Sequence, residues 1–200
     1  MNRRIKTMLF CLITIIMVFS LVGCDETDST TSNGKKTHTV SKSKNNRRKA
    51  KKKNKKKSKK KSNEKYIYDY LTNTMGLSKS AACGVIANIY SESTFRSDIE
   101  NSSKHYGLCQ WGGERRTRLV KYCKERGLNY KSVAGQVRYI HYELKYHYKK
   151  VYKKLKSVKN NRSGAYSAGY YFCYYYEIPG NRAKSADRRG GIAMDYYRKY

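Results

Sequence analysis

A run of lysines divides this chain and limits where it can fold. Residues 35–62 hold 16 Lys and Arg side chains and no Asp or Glu, with Val40 and Ala50 as their only apolar side chains. Such a stretch buries too little apolar surface to offset the entropy lost on ordering it. Its like charges also keep it extended. Any folded core must therefore lie to one side of the run. All 21 tyrosines follow residue 65, and residues 63–200 mix 26 basic with 11 acidic side chains. That region has the length and aromatic content to enclose one core. The partition argues against a wholly disordered chain, a multi-pass membrane protein and a multidomain enzyme. Pro179 is the only proline, which excludes collagen-like and proline-rich architectures.

The segment before the lysine run has the character of an export address. Arg3, Arg4 and Lys6 precede a nearly continuous apolar stretch over residues 8–22. Its length suits a secretory signal core and falls short of a comfortable membrane span. Leu21-Val22-Gly23-Cys24 resembles the lipobox of bacterial lipoproteins. The resemblance implies cleavage before Cys24 and a diacylglycerol on its sulfur. The alternative is an uncleaved anchor helix, or a signal with an incidental cysteine. Both place the rest of the chain outside the cytoplasm. The expected organisation is a signal peptide over 1–23, a lipidated and disordered basic tether over 24–62, and a folded domain over 63–200. The expected location is the extracytoplasmic face of a bacterial membrane. For residues 35–62 the expected partners are anionic lipids, acidic wall polymers or DNA in the envelope. The plainer reading of that run is a solvated spacer.

The folded region is expected to be mainly α. Ile67, Tyr70 and Leu71 recur at helical spacing. Ser78 is placed to cap a second helix whose stripe is Ala82, Val85, Ile86 and Ile89. Leu119, Val120 and Cys123 mark a third, ended by Gly127. Val137, Ile140, Leu144, Tyr148, Val151 and Leu155 are spaced as one long helix. A tyrosine-rich helix runs from about Ser163 and stops before Pro179. Ile192, Ala193, Tyr196 and Tyr197 lie on a last one. Tyr170, Tyr171, Tyr174, Tyr175 and Tyr176 wrap around their helix, so some of them must leave the core.

Glu92 follows Ile89 by three residues and Val85 by seven, so it falls on the apolar side of its helix near the C-terminal end. Partial burial and the negative end of the helix dipole both act there against a bare carboxylate. Cleavage of a glycosidic bond requires such an acid, because the leaving oxygen must be protonated as the bond breaks. A lone glutamate at a helix end is most often only a surface charge.

The surrounding residues add to this. The stretch from Gly84 to Phe95, with Glu92-Ser93-Thr94-Phe95 at its end, resembles the catalytic helix of the lysozyme-like superfamily. Gln110 follows Glu92 by eighteen residues, within Tyr106-Gly107-Leu108-Cys109-Gln110-Trp111. Lytic transglycosylases pair Glu-Ser with a downstream Gly-Leu-Met-Gln in this way. The fuller match is to the phage tail lysozyme family. It rests on Glu92, Ser93, Phe95, Gly107, Gln110, Trp111, Arg115 or Arg116, and Leu119, then Gln136, Glu143 and Leu144. It continues with Tyr176-Glu177-Ile178-Pro179, Arg188 and Ala193.

The resemblance implies a helical lysozyme fold that cuts the β-1,4 bond between N-acetylmuramic acid and N-acetylglucosamine of peptidoglycan, with Glu92 as general acid. Gln110 would either line the cleft against the sugar or serve as a buried amide holding its loop. Trp111 would form the cleft floor or pack in the core. Ser93 would orient Glu92 or cap the helix. A hydrolase needs a second carboxylate, and Asp98, Glu100 and Glu114 are the candidates nearest in sequence. A lytic transglycosylase needs only one glutamate, since the muramic 6-hydroxyl attacks to give a 1,6-anhydro product.

Outside the signal and lipobox segments the cysteines are Cys83, Cys109, Cys123 and Cys173. One or two disulfides, or four buried thiols, both fit an extracytoplasmic domain. Their spacing does not suit a zinc site, and no cofactor motif is visible. The expected protein is a lipid-anchored wall-cleaving enzyme. It would serve wall remodelling or an envelope-spanning secretion or conjugation apparatus. The alternative is a non-catalytic envelope lipoprotein that binds glycan, anionic wall polymer or DNA.

Overall fold

A computed structural model describes residues 62–200. The apolar run, Cys24 and the lysine-rich run up to residue 61 lie outside the described residues. The mainly α expectation holds. Helix α1 covers 62–69 and continues as a wider π-type turn, Tyr70–Thr74. Then come α2 (Lys79–Ser93), α3 (Gly113–Glu125), α4 (Val133–Tyr146), α5 (Lys149–Ser157), α6 (Arg162–Phe172) and α7 (Arg182–Lys199). A second π-type turn, Cys173–Glu177, extends α6. Extended pairing among the described residues is confined to isolated bridges of Tyr106 with Glu100 and Trp111.

Helix α2 is the axis of the domain. Every residue from Ser80 to Ile89 is buried, because the run Ser-Ala-Ala-Cys-Gly-Val-Ile-Ala-Asn-Ile has no side chain that needs water. Its two polar members are satisfied internally. Ser80 Oγ donates to the Asn161 carbonyl at 2.7 Å, and Asn88 Nδ2 donates to the carbonyls of Gly84 and Gly169, both at 2.9 Å. Ser78 caps α2 as its position predicts, accepting from the Ala81 N–H at 3.2 Å. Helices α6 and α7 pack against α2 and against each other.

The α2–α6 approach depends on Gly84. A Cβ there would stand 2.5 Å from Ala168 Cβ and 2.6 Å from the Gly169 nitrogen. Alanine would improve helix propensity by about 1 kcal/mol. The neighbours are backbone and a packed methyl, which cannot rotate away. We therefore expect Gly84→Ala to lose roughly 1–3 kcal/mol net, read as a lower midpoint in chemical unfolding. An unchanged or raised midpoint would show that α6 can slide.

The long helix expected over Val137–Leu155 is two helices. The chain breaks at His147 and Tyr148, where both backbone N–H groups donate to the Glu143 carbonyl at 2.8 Å. Tyr148 leaves the helical register (φ −118°, ψ 46°), and its ring packs edge-on to Tyr176 and over the Arg115 guanidinium. Covering that cation outweighs continuing the helix. On α5 only Val151 and Leu155 are buried, and lysines fill most of the solvent side. Asn161 caps α6 by accepting from Gly164 N–H at 2.8 Å. Of the five clustered tyrosines, Tyr176 is fully buried and Tyr175 is exposed. Among the described residues the four cysteines, Cys83, Cys109, Cys123 and Cys173, are free and buried.

Candidate active site

Two helices end at one cleft, and each brings a glutamate to it. Glu92 is the penultimate residue of α2. Glu177 is the last residue of the turn that extends α6. Each helix is closed by a non-glycine residue in the left-handed region, Thr94 at φ 50° and Ile178 at φ 54°. That conformation costs energy for a β-branched residue, so packing must hold it. At the first end Phe95, itself at φ 63°, is fully buried between Tyr90 and Tyr196. Its carbonyl accepts from Asn63 Nδ2 at 2.9 Å.

The cleft has a volume of about 440 Å³. Besides Glu92 and Glu177 it is lined by Asn101, His105, Cys109, Gln110, Arg115 and the turn from Ile178 to Gly180. The wall carrying Gln110 is a tight turn over residues 107–110 that requires Gly107. At φ 75° a Cβ on Gly107 would also meet the Gln136 amide at 2.5 Å. Gln110, at φ 46°, donates from Nε2 to the Gly107 carbonyl at 2.9 Å, so its side chain closes its own turn at the cleft edge.

The loop-holding amide is Gln136 instead. It is fully buried, accepts from Leu108 N–H at 2.8 Å, and donates to the carbonyls of Ser97 and Tyr130, both at 2.8 Å. Ser93 joins the two walls. Its buried hydroxyl lies 3.1 Å from the Ile89 carbonyl and 3.0 Å from that of Leu108. It therefore fixes the end of α2 to the glycine turn, outside the cleft lining. Trp111 takes the core position, one of the two readings of its place in the sequence. Its side chain is fully buried with Nε1 donating to Glu143 at 2.8 Å, because that carboxylate is the acceptor an enclosed indole needs.

None of the three expected second carboxylates lines the cleft. Asp98 lies beside Arg96 at 3.8 Å on the exposed surface. Glu100 pairs with Arg116 at 3.0 Å, and that hydrogen bond holds its carboxyl below the usual range. Glu114 is almost wholly exposed and pairs with Arg118 at 3.2 Å. Nearness in sequence misled here, because these residues lie on a surface loop and on the outer face of α3.

The carboxyl facing Glu92 across the cleft lining is Glu177, from 85 residues further along the chain. Part of the residue remains accessible, but its Oε1 is buried without a hydrogen-bond partner. Burial pushes its carboxyl up to about 8, with the charge of Glu92 adding to the shift and Arg115 and Arg189 opposing it. Glu92 has a different neighbour. Arg189, on α7 and nearly buried, reaches Glu92 Oε1 from Nη2 at 2.6 Å. Its Nη1 donates to Asn88 Oδ1 at 3.1 Å, and Asn88 is pinned in turn by the Gly84 and Gly169 carbonyls.

A second buried cluster supports the Glu177 side. Glu143 is 1% exposed. It accepts from Trp111 Nε1 at 2.8 Å, from Arg115 Nε at 3.0 Å and Nη2 at 2.9 Å, and from the Tyr176 hydroxyl at 2.6 Å. Arg115 Nη1 also donates to the Tyr176 carbonyl at 3.2 Å. Gln110 and Glu177, which adjoin Trp111 and Tyr176 in sequence, line the cleft, as does Arg115 itself.

Arg189 and Glu177 were not singled out as site residues from sequence. A signal for Glu177 did exist: it ends a tyrosine-rich helix just before Pro179. Arg189 gave none, because it stands in a basic helix among Arg182, Arg188 and Arg198. A family model described as phage tail lysozyme matches this chain over residues 62–200.

Proposed function

The chain belongs to the phage tail lysozyme family, whose activity is peptidoglycan lysis, and from that premise we propose that it cuts the β-1,4 bond between N-acetylmuramic acid and N-acetylglucosamine with Glu92 as general acid. The observation that carries this reading is the position of Glu92. It ends the central helix inside the cleft, at a stop held by Ser93 and Phe95. In the reaction the Glu92 proton passes to the glycosidic oxygen as the C1–O bond breaks. Arg189 then balances the carboxylate that remains. The cation forming at C1 is then taken either by water or by the muramic 6-hydroxyl, whose released proton returns to the Glu92 carboxylate.

On the same reading the enzyme works at the outer face of a bacterial membrane. A lipid on Cys24 holds it there, and the basic residues 35–62 reach toward anionic wall polymer or lipid. A fully extended chain of that length spans on the order of 90 Å. The excess of 26 basic over 11 acidic side chains in residues 63–200 favours an acidic wall and makes binding weaken with salt.

The test is mass spectrometry of the muropeptides that the full chain releases from purified wall. Reducing muramic ends would make the enzyme a lysozyme, with water attacking C1. Anhydro-muramic ends would reassign the enzyme to the transglycosylases. Absence of soluble product from several walls would refute the reading.

A further inference from the structure

Among the described residues, two buried side-chain polar atoms lack a hydrogen-bond partner: Glu177 Oε1 and Arg189 Nε. Both belong to the cleft cluster. Folded proteins leave few such atoms, and each calls for an explanation, of which a catalytic role is one and a bound water another. Here they are an acid and a donor at one site. Taking the cleft as the glycan site, as above, we propose that Glu177 contacts the substrate as a neutral carboxylic acid, donating a hydrogen bond from its O–H to an oxygen of the bound sugar.

The surroundings of Glu177 supply no fixed counter-charge. On α3, Arg115 spends Nε and Nη2 on Glu143 and Nη1 on the Tyr176 carbonyl. On α7, Arg189 spends its two terminal nitrogens on Glu92 and Asn88. Both cations act on Glu177 from a distance and fail to offset burial. Of the neighbouring acids, Glu92 on α2 acts against its ionisation, and Glu143 on α4 is taken up by Trp111, Arg115 and Tyr176. The Cys109 thiol interacts with the same carboxyl and is itself pushed well above the usual thiol range by burial. Cys173 is raised to about 11, and the phenols of Tyr148 and Tyr176 are raised by burial as well. These groups all stay neutral near pH 7. His105 completes the cleft lining. A protonated carboxyl in such a place offers a strong donor that a carboxylate cannot, as some enzymes use an acid kept neutral to bind a developing or resting oxygen.

The proposal separates three variants of the full chain, assayed by muropeptide release across pH. Glu177→Gln keeps a neutral donor of the same size. It is expected to retain turnover within a few-fold near neutrality and to keep working on the alkaline side, where the wild type declines as Glu177 ionises. Glu177→Ala is expected to fall on the order of 10-fold or more at every pH, the loss of one strong hydrogen bond. Thermal unfolding gives a readout free of activity. The folded carboxyl, at about 8 against 4.5 unfolded, binds more protons than the unfolded one between those values. Stability contributed by this group therefore falls as pH rises through that window, and Glu177→Gln removes the decline. The proposal is overturned if Glu177→Gln is as inactive as Glu92→Gln at all pH values, since the ionised carboxylate would then be the working form. It is equally overturned if Glu177→Ala matches the wild type. Full turnover by Glu92→Gln would sink the reading of the cleft itself, whatever the Glu177 variants do.

Discussion

Glu92→Gln is expected to leave a folded domain that releases muropeptides about a thousandfold more slowly than the wild type, within the range of general acid catalysis. The substitution keeps the volume and one oxygen of the side chain. It removes the proton that the glycosidic oxygen must receive. Arg189 keeps an acceptor in the amide oxygen, so the cation at 6% exposure is not stranded. Ser93 still ties the end of α2 to the Leu108 carbonyl, so the turn should stay in place. The stability cost should then be about 1–2 kcal/mol, the value of a charge-assisted hydrogen bond replaced by a weaker one. The measurement pairs initial rates of wall digestion with thermal unfolding of the same preparations. A rate within tenfold of wild type, in a protein of unchanged stability, would remove Glu92 from the chemistry. Another cleft group would then have to supply the proton.

The position of Glu92 at the end of an apolar helix was legible because one local pattern contains everything that placement needs: an apolar stripe, a polar break and a glutamate in phase with the stripe. Helix α2 and its Ser78 cap were legible for the same reason, since both depend on neighbours within a few residues. The α4–α5 break was not legible. Periodicity counts the apolar residues of Val137 to Leu155 and cannot see that Tyr148 is drawn out of line by Arg115, a residue from another helix. Trp111 and Ser93 were ambiguous for a related reason. Each has a polar atom, and only the fold decides whether its partner is a ligand or the protein. Glu177, the other carboxyl lining the cleft, was not singled out because separation along the chain was used in place of separation in space. Glu177 reaches the cleft only after α6 has packed on α2 at Gly84 and Gly169. Arg189 was hidden in a helix where basic residues are common and carry no distinguishing pattern.

The largest stability loss should come from Glu143→Ala, a residue that touches no substrate. At 1% exposure its carboxylate is the shared acceptor for an indole, a guanidinium and a phenol. Alanine leaves all three donors without it. Arg115 is four-fifths covered and would lose its counter-ion, an effect that costs about 3–5 kcal/mol in buried pairs. For a folded unit of this size that corresponds to a thermal midpoint lower by roughly 10–20 °C. Glu143→Gln should lose less, because an amide oxygen can still accept from Trp111 or Tyr176 while Arg115 stays unpaired. A shift below about 2 °C for Glu143→Ala would mean that water or Tyr148 replaces the carboxylate at little cost. The expected defect also has a direction in the cleft. Trp111 fixes the turn that carries Gln110, Tyr176 precedes Glu177, and Arg115 lines the cavity itself. Releasing these three together should loosen the wall opposite Glu92 while leaving α2, Asn88 and Arg189 in place. Activity in Glu143→Ala should therefore fall further than the unfolded fraction explains, even well below its midpoint. Activity that simply tracked the folded fraction would show that Glu143 stabilises the domain without positioning the site.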